Sequence, residues 1–444
     1  MQKLLIKNGT IINVENGESF IGVIEIEGNK IKNIFNQSEA LPEGIETMDA
    51  QGKYIIPGLI DMHCHINERY APHFVASGVT TVRNAAGNVL LLQNLMQKPD
   101  DAPTPRVYAS DRMIDGTQGQ WGPTSYSNFV TDNPEEARKE VRRQVEVGAN
   151  FIKLYGWIKR DVMAAAVDEA KKFNMEVACD LMNSEELTAF DAAELGVTWI
   201  EHASGFAQEM YKGWNPLVDQ KEWSHIDWEN PDQAKIKELC EKMLAHNVKL
   251  CPTMVVFDQS IKYPDYWSPK NNVIESFNTI NNLIEEWKKN ITHIDSIKTR
   301  TAVINNLTKT IAKTYYDMGG TVVAGTDTPA LIFTYAGMAL HRELELFVEI
   351  GFTELEALQA ATVNAAKSIN LTDIGTIQEG KMADLIILSN NPLKNIQHTQ
   401  DIELIVKGGK VYNQEEILSN VPSEEDFNQS IQAFMERWEA VSVD

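Results

Sequence analysis

Residues 58–65 read GLIDMHCH. Apolar Leu59 and Ile60 lead into Asp61, His63 and His65, with Met62 and Cys64 between them. On a strand successive side chains alternate faces, so Asp61, His63 and His65 point the same way. Seven more short apolar stretches follow: GVTTVRNAAG (78–87), PRVYASDRMID (105–115), NFIKLYG (150–156), EVACDLM (176–182), TWIEHASG (198–205), VKLCPTMVVF (248–257) and TVVAGTDTP (321–329). Helical patterns lie between several of them, as in NPEEARKEVRRQVEVGA (133–149), whose Asn133-Pro134 start is an N-terminal helix signal. Strands alternating with helices imply an α/β chain with a parallel sheet. Eight such units within about 280 residues fit a (β/α)8 TIM-type barrel, whose site lies where strands end and loops begin. Spacing alone also admits an open, doubly wound sheet.

Outside this region the rhythm differs. Residues 1–56 alternate apolar and polar positions between Asn-Gly, Gly-Asn and Gly-Lys turns, the signature of an antiparallel β layer. The same texture returns in IGTIQEGKMADLIILSNNPL and IELIVKGGKVYNQ. The expected organisation is therefore a small β-sandwich built from both chain ends (1–56 plus 373–415), a barrel over 57–372 and a helical tail over 416–444. Two long connections, 206–232 and 258–299, are rich in Trp, Tyr and Asn and suit substrate-covering loops or aromatic packing.

The 444 residues are 43% hydrophobic, ample for a sizeable core, and carry a formal charge of −23. That charge argues against nucleic acid or an anionic membrane surface as the main partner. Cys64, Cys179, Cys240 and Cys251 form no CxxC pair and read as reduced, buried thiols. The opening MQKLLIKNGTIINVENGES is a strand and a turn, without the apolar core of a signal peptide. No apolar run reaches the roughly 18 residues needed to span a membrane. A cytoplasmic protein is expected, although a signal removed beforehand would leave no trace.

Two imidazoles on one strand face can chelate a divalent metal. Taken alone, His63 and His65 read first as core or surface histidines, but other residues join them. Lys153 sits in FIKLYG, inside a strand suited to burial, where an ammonium is expensive unless paired, neutralised or chemically altered. His202 ends the strand WIEHASG, and Asp327 ends the last strand in VVAGTDTP. All fall at loop-proximal strand ends. Tyr155 shares the face of Lys153 and could bond a substrate carboxylate or an oxyanion, or simply pack.

These motifs, with the tail LQAATVNAAKSINLTDIGTIQEGKMADLIILSNNPL, closely resemble the amidohydrolase superfamily. More narrowly, they are similar to its branch of imidazolonepropionase-like enzymes and lysine-carbamate Xaa-Pro dipeptidases. The resemblance covers nearly the whole chain. It implies a metal-dependent hydrolase on a (β/α)8 barrel, usually with one or two zinc ions. By the same resemblance His63 and His65 bind the buried metal and Lys153, as a CO2-derived carbamate, bridges a binuclear centre. His202 then binds the second metal, and Asp327 ligates and shuttles the proton. The implied reaction is hydrolysis of an amide or cyclic amide (a dipeptide, an N-acyl amino acid or a related small molecule) by metal-activated hydroxide. A lactonase, decarboxylase or isomerase on the same centre, or a catalytically altered binding protein, is the alternative.

One departure stands out. The family places a histidine at the end of the fifth strand, where this chain reads EVACDLMNSEEL, and no histidine occurs from 74 to 201. Asp180 and Met182 share one face there. An ungapped count favours Met182, whereas a carboxylate is the better zinc ligand, so Asp180 is the expected replacement. His225 and Trp223, in the sixth connection, are candidate substrate contacts. His341, on a helix after the last strand, is a weaker one and reads first as structural. His73, His246, His293 and His398 read as surface or loop residues, and Glu201 as facing away from His202. The partner expected is a small molecule, with homo-oligomerisation left open.

Overall fold

The structure, a computed structural model, describes residues 3–36, 39–117, 119–219 and 221–441. Each alternating segment near the N-terminus forms a strand: β1 (Lys3–Ile12), β2 (Ser19–Glu27), β3 (Lys30–Asn36), β4 (Glu46–Asp49) and β5 (Tyr54–Pro57). The central region supplies β6 (Leu59–Cys64), β7 (Val79–Asn84), β8 (Arg106–Ala109), β9 (Met113–Asp115), β10 (Asn128–Val130), β11 (Ile152–Tyr155), β12 (Val177–Asp180), β13 (Trp199–Glu201), β14 (Lys249–Cys251) and β15 (Thr321–Val322). Three more follow: β16 (Leu385–Leu388), β17 (Ile402–Lys407) and β18 (Lys410–Tyr412).

The two chain ends meet in one eight-stranded sheet of order β18-β17-β16-β5-β1-β2-β3, with β4 also on β1. It is mixed, because β1 pairs in parallel with both β4 and β5. Its apolar side chains, among them Ile6, Ile24, Ile55, Leu385, Ile387 and Val406, form a core of their own.

The central strands are all parallel, in a three-stranded sheet β6-β7-β8 and a seven-stranded sheet β10-β9-β11-β12-β13-β14-β15. Isolated parallel bridges join Ser110 to Phe151 and Cys64 to Thr328, one at each border between the two sheets. Met62 N also donates to Ala324 O at 2.9 Å, and Thr326 N to His63 O at 2.9 Å.

Two stretches depart from expectation. Residues 105–115 split into β8 and β9 because Asp111 and Arg112 turn into polar contacts. Arg112 forks onto Glu140 at 2.8 and 2.7 Å, and Asp111 binds Arg143 and the Val89 amide. In 248–257 only three residues stay extended, and a helix, Met254–Lys262, begins after Thr253 (φ 48°). The buried Glu343 carboxylate accepts from Met254 N (2.9 Å) and Val255 N (2.7 Å), satisfying two amides that a helix start leaves free. That cap overrides the strand preference of the β-branched run.

The second long connection is largely helical, with helices Asn272–Phe277, Asn281–Ile291 and Ile294–Asp317. The tail forms Gln414–Leu418 and Glu424–Val441, the latter docked where Phe434 meets Tyr126 edge-on and Arg437 donates to Leu90 O. All four cysteines are free and buried. Among the described residues no helix is long and apolar enough to cross a membrane.

Gly325 packs where β14 and β6 converge. A Cβ there would fall 2.5 Å from Cys251 Sγ and 2.7 Å from His63 N. Because a backbone atom cannot yield cheaply, Gly325→Ala is expected to destabilise the chain by roughly 1–3 kcal/mol. Urea unfolding measures this, and an unchanged midpoint would contradict the close approach.

Candidate metal centre

The loop-proximal end of β6 carries Asp61, His63 and His65. Asp61 Oδ2 accepts from Thr326 Oγ1 at 2.7 Å, and Oδ1 from the amides of Thr326 (3.1 Å) and His63 (3.2 Å). Burial lifts its pKa to about 7 against these bonds. His63 Nδ1 lies 2.7 Å from Glu201 Oε2, leaving Nε2 3.2 Å from Asp327 Oδ1. His65 Nε2 reaches the same oxygen at 2.9 Å, while its Nδ1 faces Ala86 O at 3.3 Å. His202 Nδ1 is 2.5 Å from Thr253 Oγ1, and its Nε2 is 3.5 Å from Asp180 Oδ2.

Thus His63 and His202 are anchored through Nδ1 and present Nε2 inward, the pattern by which outer partners orient metal-binding imidazoles. The rings of His63 and His202 lie 4.7 Å apart, and those of His63 and His65 5.5 Å. Ligand atoms of His63, His202 and Asp327 fall within 4.8 Å of one another. Two imidazoles and a carboxylate are a zinc-type donor set. A second trio, His63, Glu201 and Cys251, is as compact. There Glu201 is also bound by Arg83 (2.8 Å), and burial pushes the Cys251 thiol well up, away from the thiolate that ligates. The donor set that fits a cation is therefore the first.

The backbone contributes as well. His202 (φ 61°), Ala203 (φ 52°) and Asp327 (φ 57°) all lie in the left-handed region, uncommon for such side chains. The turn at His202 ends the alternation of β13, so both Glu201 and His202 reach the cluster. Glu201, expected to face away from His202, turns its carboxylate to His63 Nδ1. Burial raises the Asp327 carboxyl, yet bonds to His63 and His65 and the nearby His202 outweigh it and hold the pKa well below the usual range.

Lys153, on β11, is 1% exposed. Among the described residues no carboxylate lies within ion-pair distance of its ammonium, which sits 5.9 Å from the Tyr155 ring centre. Tyr155 is held protonated by burial and by the negative Asp180 and Asp327. Register pairs Tyr155 with Asp180 across β11 and β12. At the fifth strand the carboxylate beside His202 is that of Asp180, whose Oδ1 accepts from Met182 N at 2.8 Å. Asp180 stands outside the tightest trio.

Other candidates are not brought to the cluster. Trp223 and His225 stack on each other with centres 6.0 Å apart, and among the described residues no hydrogen bond or ring contact joins them to the cluster. His341 is fully buried elsewhere, with Nδ1 at Thr399 Oγ1 (2.9 Å) and Nε2 donating to Ser77 O (3.0 Å). His73 is no surface residue: it is fully buried against Phe277 and Ser276. Sequence reasoning missed Arg83, Thr253 and Thr326 as partners. The available signal was a pair of opposite charges, Arg83 and Glu201, inside two otherwise apolar strands.

Comparison with known proteins gives this geometry a context. The model of the amidohydrolase family matches residues 54–412. Among curated proteins the chain is similar to ochratoxinase of Aspergillus niger, 26% identical over 332 residues, covering 70% of this chain and 55% of that protein. Adenine deaminase of Listeria welshimeri is 40% identical over 85 residues, or 18% of this chain and 14% of that enzyme. The chain thus spans about half or less of these relatives' length. Among solved structures, an Xaa-Pro dipeptidase with methionine bound in its active site superposes with TM-score 0.68 at 21% identity, covering 93% of this chain and 100% of that one. The crystal structure of the A. niger ochratoxinase gives 0.67 at 20% identity, covering 93% and 96%. At these identities the structural likeness is one of fold.

Burial holds both His73 and His341 near pKa 4, against about 6.5 unfolded. The unfolded chain binds more protons between those values, so stability rises with pH through that window and is lost as pH falls from about 6.5 toward 4. Each histidine should remove about 2 kcal/mol between pH 7 and pH 5. Urea unfolding of wild type and His341→Gln at both values checks this; an equal pH slope in the two proteins would refute it.

Proposed function

The chain belongs to the amidohydrolase family, and from that premise we propose that it is a metal-dependent hydrolase cleaving an amide or cyclic amide of a small molecule, such as a dipeptide or an N-acyl amino acid. The observation that carries this reading is the convergence of His63, His202 and Asp327 ligand atoms within 4.8 Å. In this reading His63, His65, His202 and Asp327 hold one or two divalent ions, zinc by donor chemistry, with Asp180 taking the fifth-strand position.

Lys153 completes the set: its ammonium gives up one proton, and the free amine then adds to CO2, forming an N–C bond and releasing a second. A buried cation without an ion-pair partner then becomes an anionic carbamate ligand, which supports the assignment. A bound divalent cation supplies Lewis acidity, lowering the pKa of water and polarising the scissile carbonyl. Asp327 accepts the proton of the attacking water and returns it to the leaving nitrogen. The Tyr155 phenol donates a hydrogen bond to the developing oxyanion.

The scaffold proposed is a closed barrel over 57–372, a sandwich from 1–56 and 373–415, and a tail over 416–444. The paired bridges at Ser110–Phe151 and Cys64–Thr328 support closure.

With zinc supplied, Asp327→Asn should cut turnover of Xaa-Pro dipeptides and N-acyl amino acids by roughly 10²–10⁴-fold while leaving the unfolding midpoint unchanged. Equal activity in the variant removes Asp327 from the mechanism. Chelator dialysis should abolish turnover and zinc restore it; activity surviving chelation contradicts metal dependence.

A further inference from the structure

Arg83, on β7, is fully buried between two aromatic faces, its guanidinium carbon 4.1 Å from the Phe151 ring centre and 4.4 Å from that of Trp199. Its Nη1 donates to Met62 O (3.1 Å) and to Glu201 Oε1 (2.8 Å). Glu201, also fully buried, turns its second oxygen to His63 Nδ1 at 2.7 Å. Three strands, β7, β13 and β6, are thus linked by one line of contacts ending at a candidate ligand.

We infer that Glu201, held by Arg83, is a positioning residue that keeps the His63 proton on Nδ1 and so frees Nε2 to ligate. A guanidinium cannot lose its proton, and among the described residues Glu201 is its one carboxylate partner. A buried cation needs that partner ionised, and an ionised carboxylate only accepts hydrogen bonds. The facing imidazole nitrogen must therefore donate. His63 has a second carboxylate, Asp327, at Nε2, but it is farther at 3.2 Å and is shared with His65. Nε2, turned into the cluster with His202 and Asp327, is accordingly the nitrogen left to ligate. Nothing in this line of contacts touches substrate; it acts through His63 alone.

Glu201→Gln discriminates sharply. Its amide oxygen must face Arg83, which only donates, so its NH2 faces His63 Nδ1 and forces the proton onto Nε2. Long-range 1H–15N spectra of histidine-labelled apo protein at pH 9, with His63 assigned from His63→Asn, should show Nδ1–H in wild type and Nε2–H in the variant. Zinc affinity, by chelator competition, should fall about 10–100-fold. In Arg83→Met/Glu201→Gln the amide is free to turn its oxygen to His63, so Nδ1–H and most of the affinity should return.

An unchanged tautomer in Glu201→Gln, or a double variant no better than the single one, overturns the inference. Should the single variant fail to fold, the double variant lacks the unpaired charge and decides alone: Nε2–H or weak zinc binding there overturns it. The affinity arm rests on the metal reading above. Wild type that binds no zinc would end that reading, while the apo spectra would still judge the positioning role.

Discussion

Asp61 clasps the first strand of the parallel series to the segment after the last. Its carboxylate accepts from the hydroxyl and amide of Thr326 and from the amide of His63. The clasp reinforces backbone bonds that join the same two borders, Met62 N to Ala324 O and Thr326 N to His63 O. With it, the chain between Ala324 and Thr328 lies against β6, and Asp327 N donates to His63 O at 2.7 Å. Three donors offset part of the cost of burying this short polar side chain. The geometry of the cluster thus follows from a contact that touches none of its inward-facing nitrogens.

Much of this was legible in the chain. Period-two alternation at both ends, and short apolar runs between helical patterns in the middle, identified the strands. The residues at their loop-proximal ends, His63, Lys153, His202 and Asp327, were marked by being polar where neighbours are apolar. What escaped depends on tertiary partners. Asp111 and Arg112 interrupt a run that reads as continuous, and Glu343, nearly ninety positions away, turns a β-branched segment helical. His73 looks like a surface residue because nothing local reports the Ser276 hydroxyl that receives it. Glu201 was set aside on the strict alternation of a strand, which a left-handed His202 ends.

The strand β12 brings a carboxylate, not an imidazole, beside His202. Asp180 keeps a ligand-capable oxygen 3.5 Å from His202 Nε2. A carboxylate there makes the cluster more negative by one, and that bears on how acidic a bound water becomes. Tyr155 lies across from it in register. The two residues put a proton donor and a fixed negative charge side by side at the mouth of β11 and β12.

The sheet shared by the chain ends has a consequence for how the protein is made. Ile56 of β5 pairs with Ile386 of β16, about 330 residues downstream. At ribosomal speeds of roughly 5–20 residues per second, β5 waits on the order of half a minute for that neighbour. During synthesis the nascent amino-terminal strands therefore expose an unpaired, Ile-rich border, the kind of border that invites aggregation. Early docking of β1 covers the other edge of β5, so the border awaiting β16 stays open until the carboxyl-terminal strands emerge.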